Sequence, residues 1–471
     1  MLFTSGYFFV FLAVTFAGYY LVGRMQLAWL ILASLVFYAW QNPPLLILLC
    51  SVALVDVVVS REIIVSPHPR AWAASGVACN VAVLGFFKYN HLLDATFPSL
   101  AASAGHPVQL LLTLPLPIGI SFYTLHGISL LLDTLRDGTA RRDVSQARSW
   151  REHAANTLLY VSFFPQLIAG PITKAHQFYP QIGPKKFADI DWDGAVAALI
   201  TGYFLKSVIA DNMSEQTFWL TYPYFLSFSS LDLVQLLLGY SVQIFADFAG
   251  YSLIAIGLAK LFGYNLPTNF RFPYISESFS EFWTRWHISL SSWMREYLYF
   301  PLGGNREGRV RTYVNLMAVM CIAGLWHGAA WSYAVWGAWH GAALTMERML
   351  GGARPSRPLL TRILRGLLVF TVVTLGWLLF KLPHFSDVIA YMHALWDNRA
   401  SRANRQTDVI IFCLPLPVIA YDAHYLIARH REAQGRAPLL AGWRKPVALG
   451  LLLAAIALNA RTSQPFIYFQ F

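Results

Sequence analysis

Long apolar segments separated by short polar connections run along nearly the whole chain. A helix needs about 20 predominantly apolar residues to cross the roughly 30 Å hydrocarbon core of a bilayer. Several of these segments are shorter or contain proline, so we predict roughly eleven membrane-spanning helices together with amphipathic and re-entrant pieces. The candidate segments are 2–22, 27–40, 45–64, 71–88, 108–132, 153–170, 194–210, 230–262, 312–330, 331–350, 362–381, 408–428 and 445–460.

Composition supports an all-α polytopic membrane protein. Of the 471 residues, 56% are hydrophobic and 13% are charged, whereas soluble domains carry about 25% charged residues. Because this leaves too little polar surface for a water-soluble particle of this size, a bilayer must solvate part of the chain. No polar connection is long enough for a separate soluble domain, so we predict one membrane domain over 1–471.

The net charge of +11 does not indicate a nucleic-acid binder, because the basic residues lie in short runs between apolar segments, as in cytoplasmic loops. No Lys or Arg precedes the first segment, unlike in a signal peptide, so we expect an uncleaved first span with its N-terminus outside the cytoplasm. Eight arginines then fall in inside loops, against Lys88 alone in the outside loops. The eight are Arg24, Arg61, Arg70, Arg136, Arg141, Arg142, Arg148 and Arg151.

The cysteines indicate neither a disulfide framework nor a metal site. They lie far apart in apolar stretches and show no CxxC spacing, so we predict buried, unreactive thiols and no bound zinc. The four are Cys50, Cys79, Cys321 and Cys413.

Residues 278–304 read SFSEFWTRWHISLSSWMREYLYFPLGG. Ser278 and Glu281 have the S-x-x-E spacing of a capping box, which predicts the start of a helix. Aromatic and apolar residues then recur at helical spacing, so we predict an amphipathic helix at a bilayer interface or along a cavity. One face holds Trp283, Trp286, His287, Leu290, Met294 and Tyr297, and another holds Arg285, Ser289, Ser292 and Glu296.

Residues 312–331 read TYVNLMAVMCIAGLWHGAAW and form a candidate span in which His327 is the one His, Lys, Arg, Asp or Glu. A helix that starts near Thr312 places His327 about 22 Å along its axis, within the hydrocarbon core. The small residues around His327 permit close helix packing and leave room for a slender substrate.

A histidine near a helix end is more often a packing residue than a catalyst, but burial of an ionisable group deep in a span is costly without a use. A neutral imidazole in such a site can act as a base. His340, in WGAWHG, has similar neighbours, so composition alone does not separate it from His327.

Several motifs together identify a family. They are SLVFYAW at 34–40, GFFKY at 85–89, LPLPIGISFYT at 114–124, YVSFFPQLIAGPI at 160–172, YSVQIFADFAGYSLIAIGLAKLFGYNLPTNFRFPY at 240–274, WTRWHISLSSWMREYLYFPLGGNREG at 283–308, GLWHGAAW at 324–331 and FIYFQF at 466–471. With them the sequence resembles the membrane-bound O-acyltransferase family, in its bacterial alginate O-acetyltransferase branch. WHISLSSW and LWHG, forty residues apart, are its most specific pair. One departure is LHGISLLLDTLRDG at 125–138, where relatives usually carry a polar, Tyr-containing helix.

The resemblance implies that His327 is the essential catalytic histidine and that His287 occupies a second functional position. It also implies a ring of helices around a tunnel, with both histidines at its waist. The thioester donor would enter from the cytoplasm and the acceptor from the opposite side. We expect the substrate-binding lining to include Trp283, Trp286, Arg295, Trp326, Asp247 and Tyr251.

The implied chemistry is acyl transfer from a thioester to a hydroxyl, with acetyl-CoA as donor substrate and no bound cofactor. His327 would act as general base, with an acyl-histidine intermediate as the alternative. His287 would orient the donor or stabilise the oxyanion. Arg285 and Arg295 could contact CoA phosphates, although surface ion pairs and lipid headgroups are commoner partners of arginine.

By resemblance, the acetyl group leaves the bacterial inner membrane for an exopolysaccharide, through a separate periplasmic SGNH-hydrolase-like acetyltransferase. The polymer could be alginate, cellulose, peptidoglycan or another glycan. Two other classes stay open at this stage. A transporter or flippase should show inverted repeats, of which the sequence shows none, and a haem or quinone protein could use membrane histidines as ligands.

Overall fold

The computed structural model is helical wherever the described residues form regular structure. Its described residues fall into two compact units, Met1–Leu199 with Ile254–Thr268, and Ile200–Leu253 with Asn269–Phe471. The prediction of one domain over the whole chain stays a prediction. The described residues are 1–40, 42–96, 117–136, 138–147, 149–352, 358–400, 411, 413–433, 440, 442–459, 464 and 466.

The first unit consists of helices that match most of the predicted apolar segments. Ser5 caps the first of them, because its Oγ accepts a hydrogen bond from the Phe8 N–H at 3.3 Å. The predicted segment 153–170 is broken at Phe163, next to Pro165, into a longer and a very short helix. The helices are α1 Gly6–Leu21, α2 Gln26–Ala39, α3 Leu45–Val65, α4 Pro69–Thr96, α5 Ile120–Leu135, α6 Thr139–Gln146, α7 Trp150–Ser162, α8 Phe164–Leu167, α9 Ala175–Phe178 and α10 Trp192–Tyr203 (up to Leu199).

The second unit contains both histidine segments. A π-helical stretch, Phe204–Ala210, lies near its start, and a second one, Arg295–Tyr299, lies within the first histidine segment, 278–304. The α-helices are α11 Asp211–Thr217, α12 Ser230–Leu261 (up to Leu253), α13 Phe279–Arg285, α14 Ile288–Met294, α15 Gly308–His327, α16 Trp331–Met349, α17 Leu359–Lys381, α18 Phe385–Asp397, α19 Leu416–Ala433 and α20 Arg444–Leu458.

Four described helical stretches are long and apolar enough to cross a bilayer: Pro69–Tyr89, Trp192–Leu220, Ser230–Leu261 and Leu359–Lys381. Shorter apolar helices include Gly6–Leu21, Gly23–Ala39 and Ile120–Leu135. These helices make the chain a multi-pass membrane protein, while the number of eleven spans stays a prediction. The irregular backbone predicted at Pro115 lies outside the described residues.

Two predictions about individual side chains are wrong. Lys88 does not lie in an outside loop: α4 continues through it, and its buried Nζ donates to the Ser121 Oγ at 3.3 Å. A hydrogen-bonding partner on a neighbouring helix thus accommodates this lysine inside the unit. The comparison of basic residues in inside and outside loops therefore no longer includes an outside residue. Of the thiols predicted to be buried, that of Cys413 is exposed and the other three are partly exposed. Arg148, which was counted as an inside residue, lies outside the described part of the chain.

Helices α15 and α16 form a closely packed hairpin that holds His327. A Cβ atom at Gly324 would collide with the main-chain carbonyl of Tyr333, and one at Gly337 with that of Met320. Glycine at these two positions therefore lets the backbones approach more closely than any side chain would allow. The small residues predicted to permit close packing do so at these positions.

Candidate functional site

His287 sits at a break between two helices, not within one continuous amphipathic helix as predicted. Helix α13 ends at Arg285 and α14 starts at Ile288, while His287 has φ 43° and ψ 54°. The left-handed region is strained for a residue other than glycine and is enriched at functional sites. The predicted cap at Ser278 is confirmed, because its Oγ accepts from the Glu281 N–H at 3.0 Å. The Glu281 carboxylate reaches the N–H of Glu277 instead of that of Ser278.

Asn269 imposes this break. Its main-chain carbonyl accepts from the Ile288 N–H at 2.9 Å, and its Oδ1 accepts from the Ser289 N–H at 3.3 Å and the Ser289 Oγ at 3.0 Å. Its Nδ2 donates to the Ser252 Oγ at 3.0 Å. A segment 18 residues upstream of His287 therefore satisfies the N–H groups at the start of α14.

The same amide defines the tautomer of His287. The His287 Nδ1 lies 2.9 Å from the Asn269 Oδ1, and the Ser289 N–H, which can only donate, points at the same atom. That atom is therefore the amide oxygen, and Nδ1 carries the proton that it donates. The buried Nε2 has no hydrogen-bonding partner among the described residues, so it offers a lone pair.

Burial keeps this imidazole neutral. His287 lies outside the four candidate spans and is fully buried, and the burial lowers the pKa of its ring to about 3. The charged form is disfavoured because the buried ring loses its hydration and no anionic group among the described residues compensates for that loss.

His327 is the last residue of α15 and lies close to His287. Their ring centroids are 6.1 Å apart, and both side chains are buried. Because α15 starts at Gly308 rather than near Thr312, His327 stands about 28 Å along the helix instead of about 22 Å. Aromatic rings enclose it, with centroid distances of 5.0 Å to Trp326, 5.2 Å to Trp336 and 5.4 Å to Phe380.

A cavity of about 300 Å³ lies along one face of α15, and its lining includes neither His287 nor His327. On α15 it is lined by Leu316, Val319, Met320 and Ala323, at the spacing of a single helix face, which His327 continues one turn further. One turn is about 6 Å along the axis. From outside α15 the lining includes Ser280, Trp283, Leu290, Ser291, Met294, Arg295, Tyr299, Phe300, Asn305, Leu344 and Arg348.

The structure separates His340 from His327, which composition could not do. His340 lies in an aromatic enclosure, with ring centroids 5.2 Å from Trp283 and 4.8 Å from Trp336. Both of its ring nitrogens are buried without a hydrogen-bonding partner among the described residues. His327 has His287 beside it, whereas the rings around His340 within the described residues are Phe282, Trp283, Trp336 and Trp377.

Four of the six residues expected to line a substrate site occupy three different environments. Trp283 and Arg295 line the cavity, and Trp326 packs against both histidines, with centroids 5.0 Å from His327 and 6.0 Å from His287. Trp286 does not line the cavity; it packs in the core, 4.9 Å from Trp377 between ring centroids.

The remaining predicted residues are engaged elsewhere. Asp247 forms a buried ion pair with Lys206 at 2.8 Å, and Tyr251 stacks on Phe466 at 4.5 Å between centroids. Arg285 pairs with Glu281 at 2.7 Å, which is the surface ion pair that the sequence left open.

Sequence reasoning missed Asn269 and Arg348. Asn269 lies in the NFRFPY stretch that carried part of the family resemblance, but no spacing connects it with His287. Arg348 could have been found from α16, where Leu344 and Arg348 are one turn apart on the cavity side.

Comparison with known proteins shows the family to which the chain belongs. The family model described as membrane-bound O-acyltransferase matches residues 75–382, which include both histidines. The chain is 32% identical to the probable alginate O-acetylase of Pseudomonas putida, with 100% of each chain covered. It is 34% identical to a peptidoglycan O-acetyltransferase of Helicobacter pylori, over 83% of this chain and 79% of the relative. It is 30% identical to a teichoic acid D-alanyltransferase of Bacillus subtilis, over 47% of this chain and 56% of the relative.

These matches leave no place for the transporter and haem alternatives, because the matched family and the relatives are acyltransferases. The matched range covers more than half of the chain, and one relative is aligned along its whole length. The chain therefore belongs to the membrane-bound O-acyltransferase family and is an O-acyltransferase.

Proposed function

We propose that this protein transfers an acetyl group from a cytoplasmic thioester, acetyl-CoA, across the bacterial inner membrane for O-acetylation of an exopolysaccharide such as alginate. The observation that carries the proposal is the pair of buried histidines, His287 and His327, whose ring centroids are 6.1 Å apart. His327 lies one turn beyond the face of α15 that lines the cavity. A site of this kind can hold a thioester carbonyl and a hydroxyl together, away from bulk water.

In the proposed reaction His327 is the general base. It takes the proton of the acceptor hydroxyl while the hydroxyl oxygen attacks the thioester carbonyl carbon. The new C–O bond forms, the C–S bond breaks, and the protonated His327 returns the proton to the departing CoA sulfur.

His287 stabilises the positive charge that His327 acquires when it takes the proton. In the tautomer held by Asn269, its Nε2 carries a lone pair and no proton, so it favours a positive charge nearby. For the same reason a neutral His287 has no Nε2 proton to give an oxyanion. We therefore assign it the support of protonated His327 in preference to oxyanion stabilisation.

The 300 Å³ cavity is proposed as the path of the acyl donor. Its lining is apolar along α15, which suits a slender pantetheine arm, while the exposed Arg295 and Arg348 suit phosphate groups. Further basic residues stand near the start of α15, at Arg306, Arg309 and Arg311. The positive-inside rule favours the cytoplasm for this end of the helix, the compartment that supplies acetyl-CoA.

An acyl-histidine mechanism is the alternative for the same residues. It predicts that labelled acetyl-CoA without acceptor leaves a label on the protein that His327→Ala removes. General-base catalysis predicts no such label, so a rapid quench of the purified protein distinguishes the two routes.

An alginate-type polysaccharide is favoured because the relative aligned along its full length is a probable alginate O-acetylase. Peptidoglycan, cellulose and other glycans are the competing acceptors, the first of them supported by the Helicobacter pylori relative. We propose that a periplasmic SGNH-like acetyltransferase passes the acetyl group to the polymer. Membrane lipids surround the membrane-bound O-acyltransferase itself.

The proposal is tested in the host bacterium by deleting the gene and measuring O-acetyl groups separately on secreted polysaccharide and on peptidoglycan. Loss from the polysaccharide alone, restored by the wild-type gene but not by His327→Ala, is expected. Loss from peptidoglycan alone would overturn the polysaccharide assignment, and unchanged acetylation of both would overturn the proposed function.

A further inference from the structure

Lys206 lies at the centre of a buried ion cluster away from the cavity. Its Nζ is 2.7 Å from the Asp211 Oδ1 and 2.8 Å from the Asp247 Oδ1. The Lys206 and Asp247 side chains are each 4% exposed, and that of Asp211 is 11% exposed. Removing a buried cation from two carboxylates leaves negative charge without compensation, so this cluster strongly constrains the elements that it joins.

One of these elements is the C-terminal segment. The Lys206 Nζ also donates to the main-chain carbonyl of Gln464 at 3.0 Å. Two residues further on, the buried Phe466 stacks on Tyr251 with ring centroids 4.5 Å apart, and it contacts Phe248 at 5.8 Å. The ion cluster therefore holds a C-terminal aromatic side chain against α12.

Helix α12 connects this contact with the histidine site through two adjacent faces. Asp247 and Tyr251 are one turn apart and meet Lys206 and Phe466, respectively. Phe248 and Ser252, also one turn apart, lie on the neighbouring face.

This second face supports His287. The Phe248 ring meets the edge of the His287 imidazole at 4.6 Å between centroids, and the Ser252 Oγ accepts from the Asn269 amide that fixes the His287 tautomer. The position of α12 therefore sets both the packing and the hydrogen bonding of His287.

We propose that Lys206 is a positioning residue for the acyl-transfer site: by holding α12 and the C-terminal segment together, it keeps Phe466 and Phe248 packed on the His287 side of the site. The inference rests on the proposed role of the two histidines. Lys206 touches no reacting group, so it acts on the chemical step through the placement of His287.

The test compares four variants of the full-length protein in lipid nanodiscs, with labelled acetyl-CoA, the host's periplasmic acetyltransferase and acceptor polysaccharide. They are Lys206→Met, Phe466→Ala, Phe466→Tyr and the double variant Lys206→Met/Phe466→Ala. We expect kcat to fall about tenfold in the first two while KM for acetyl-CoA stays unchanged, since the donor cavity is untouched. Phe466→Tyr, which keeps the stacked ring, should retain activity.

The double variant separates positioning from independent structural damage. If Lys206 acts through Phe466, the double variant is no slower than the slower single variant, because contacts that act as one unit are not additive. A double variant slowed by the product of the two single effects would overturn the inference. Wild-type kcat in Phe466→Ala would also overturn it, and this variant removes no charge, so the test stands even where Lys206→Met fails to fold.

Two matched controls complete the design. Lys260→Met removes a partly exposed lysine of the first unit, which pairs with Asp191. Phe218→Ala removes an exposed phenylalanine. Both variants should keep wild-type kcat. His327→Ala is measured in parallel. If it is inactive while Lys206→Met and Phe466→Ala are fully active, only this inference fails; if it is active, the proposed function fails first.

Discussion

His287 and His327 are forty residues apart in sequence, yet their ring centroids lie 6.1 Å apart. Each occupies the end of a helix: His327 is the last residue of α15, and His287 forms the left-handed turn before α14. Neither depends on the regular part of a helix for its orientation. The glycine-packed hairpin holds His327, and Asn269 holds His287.

Replacing Asn269 should slow the chemical step. Asn269→Ala removes the acceptor that fixes the His287 Nδ1 proton and the Ser289 N–H, so we expect kcat to fall roughly 10- to 100-fold, less than the roughly 10²- to 10⁴-fold that a general acid or base itself contributes. Steady-state kinetics with labelled acetyl-CoA measures this. Asn265→Ala, an exposed residue in the same connection, is the matched control; equal activity of the two variants would contradict the role of Asn269.

Filling the cavity should block the donor. Ala323→Leu places a larger side chain in the lining one turn before His327, so we expect KM for acetyl-CoA to rise about tenfold or more with little unfolding. Ala318→Leu adds the same volume to another face of α15, outside the lining, and should leave KM unchanged. If Ala323→Leu binds acetyl-CoA normally, the donor does not use this cavity.

The two arginines of the lining should contribute to donor affinity. We expect Arg295→Ala and Arg348→Ala each to raise KM for acetyl-CoA about fivefold without lowering kcat, because an arginine–phosphate contact at a partly exposed site adds uniform binding energy. Arg309→Ala, near the start of α15 but outside the lining, serves as control. Acetyl-dephospho-CoA, which lacks the 3′-phosphate, tests the contact directly. If the arginines bind that phosphate, KM for this donor should be the same in the variants and in wild type.

The close helix packing can be tested by stability. Gly337→Ala forces a Cβ against the main-chain carbonyl of Met320, so we expect a loss of about 1–3 kcal/mol, as for other overpacked interiors. Gly450→Ala, a helical glycine with no atom within 4 Å of its Cβ position, should be neutral or slightly stabilising. Thermal unfolding in detergent compares the two, and equal midpoints would contradict the packing argument.

Sequence patterns were informative where the cause is local. The Ser278 cap and the helical segments follow from neighbouring residues, and the structure has the cap at Ser278 and several of the helices, such as Ser230–Leu261, close to their predicted bounds. The break at His287 could not be predicted, because the groups that stabilise it belong to Asn269 and Ser252, 18 and 35 positions away. Residues that would share one face of a continuous helix do not share it across such a break. Trp286 therefore lies in the core while Trp283 lines the cavity.

The positions of two charged residues could not be predicted from the sequence for the same reason. Lys88 was placed in an outside loop because the predicted apolar segment 71–88 ends there, but α4 continues through it and a hydroxyl on a neighbouring helix accepts its hydrogen bond. Asp247 was expected at a substrate and instead pairs with Lys206. In both cases the partner lies far away in sequence, so only the folded chain reveals it.

The central claim is that His327, with His287 beside it, carries out acyl transfer, and that His340 does not. It is tested most directly by giving labelled acetyl-CoA, the host's periplasmic acetyltransferase and acceptor polysaccharide to purified wild-type protein and to His327→Ala, His287→Ala and His340→Ala, each confirmed to be folded in the membrane. Thioester hydrolysis and polymer acetylation are both measured. We predict loss of both activities in His327→Ala, a partial loss in His287→Ala, and retention of activity in His340→Ala. Wild-type acetylation by His327→Ala would contradict the account.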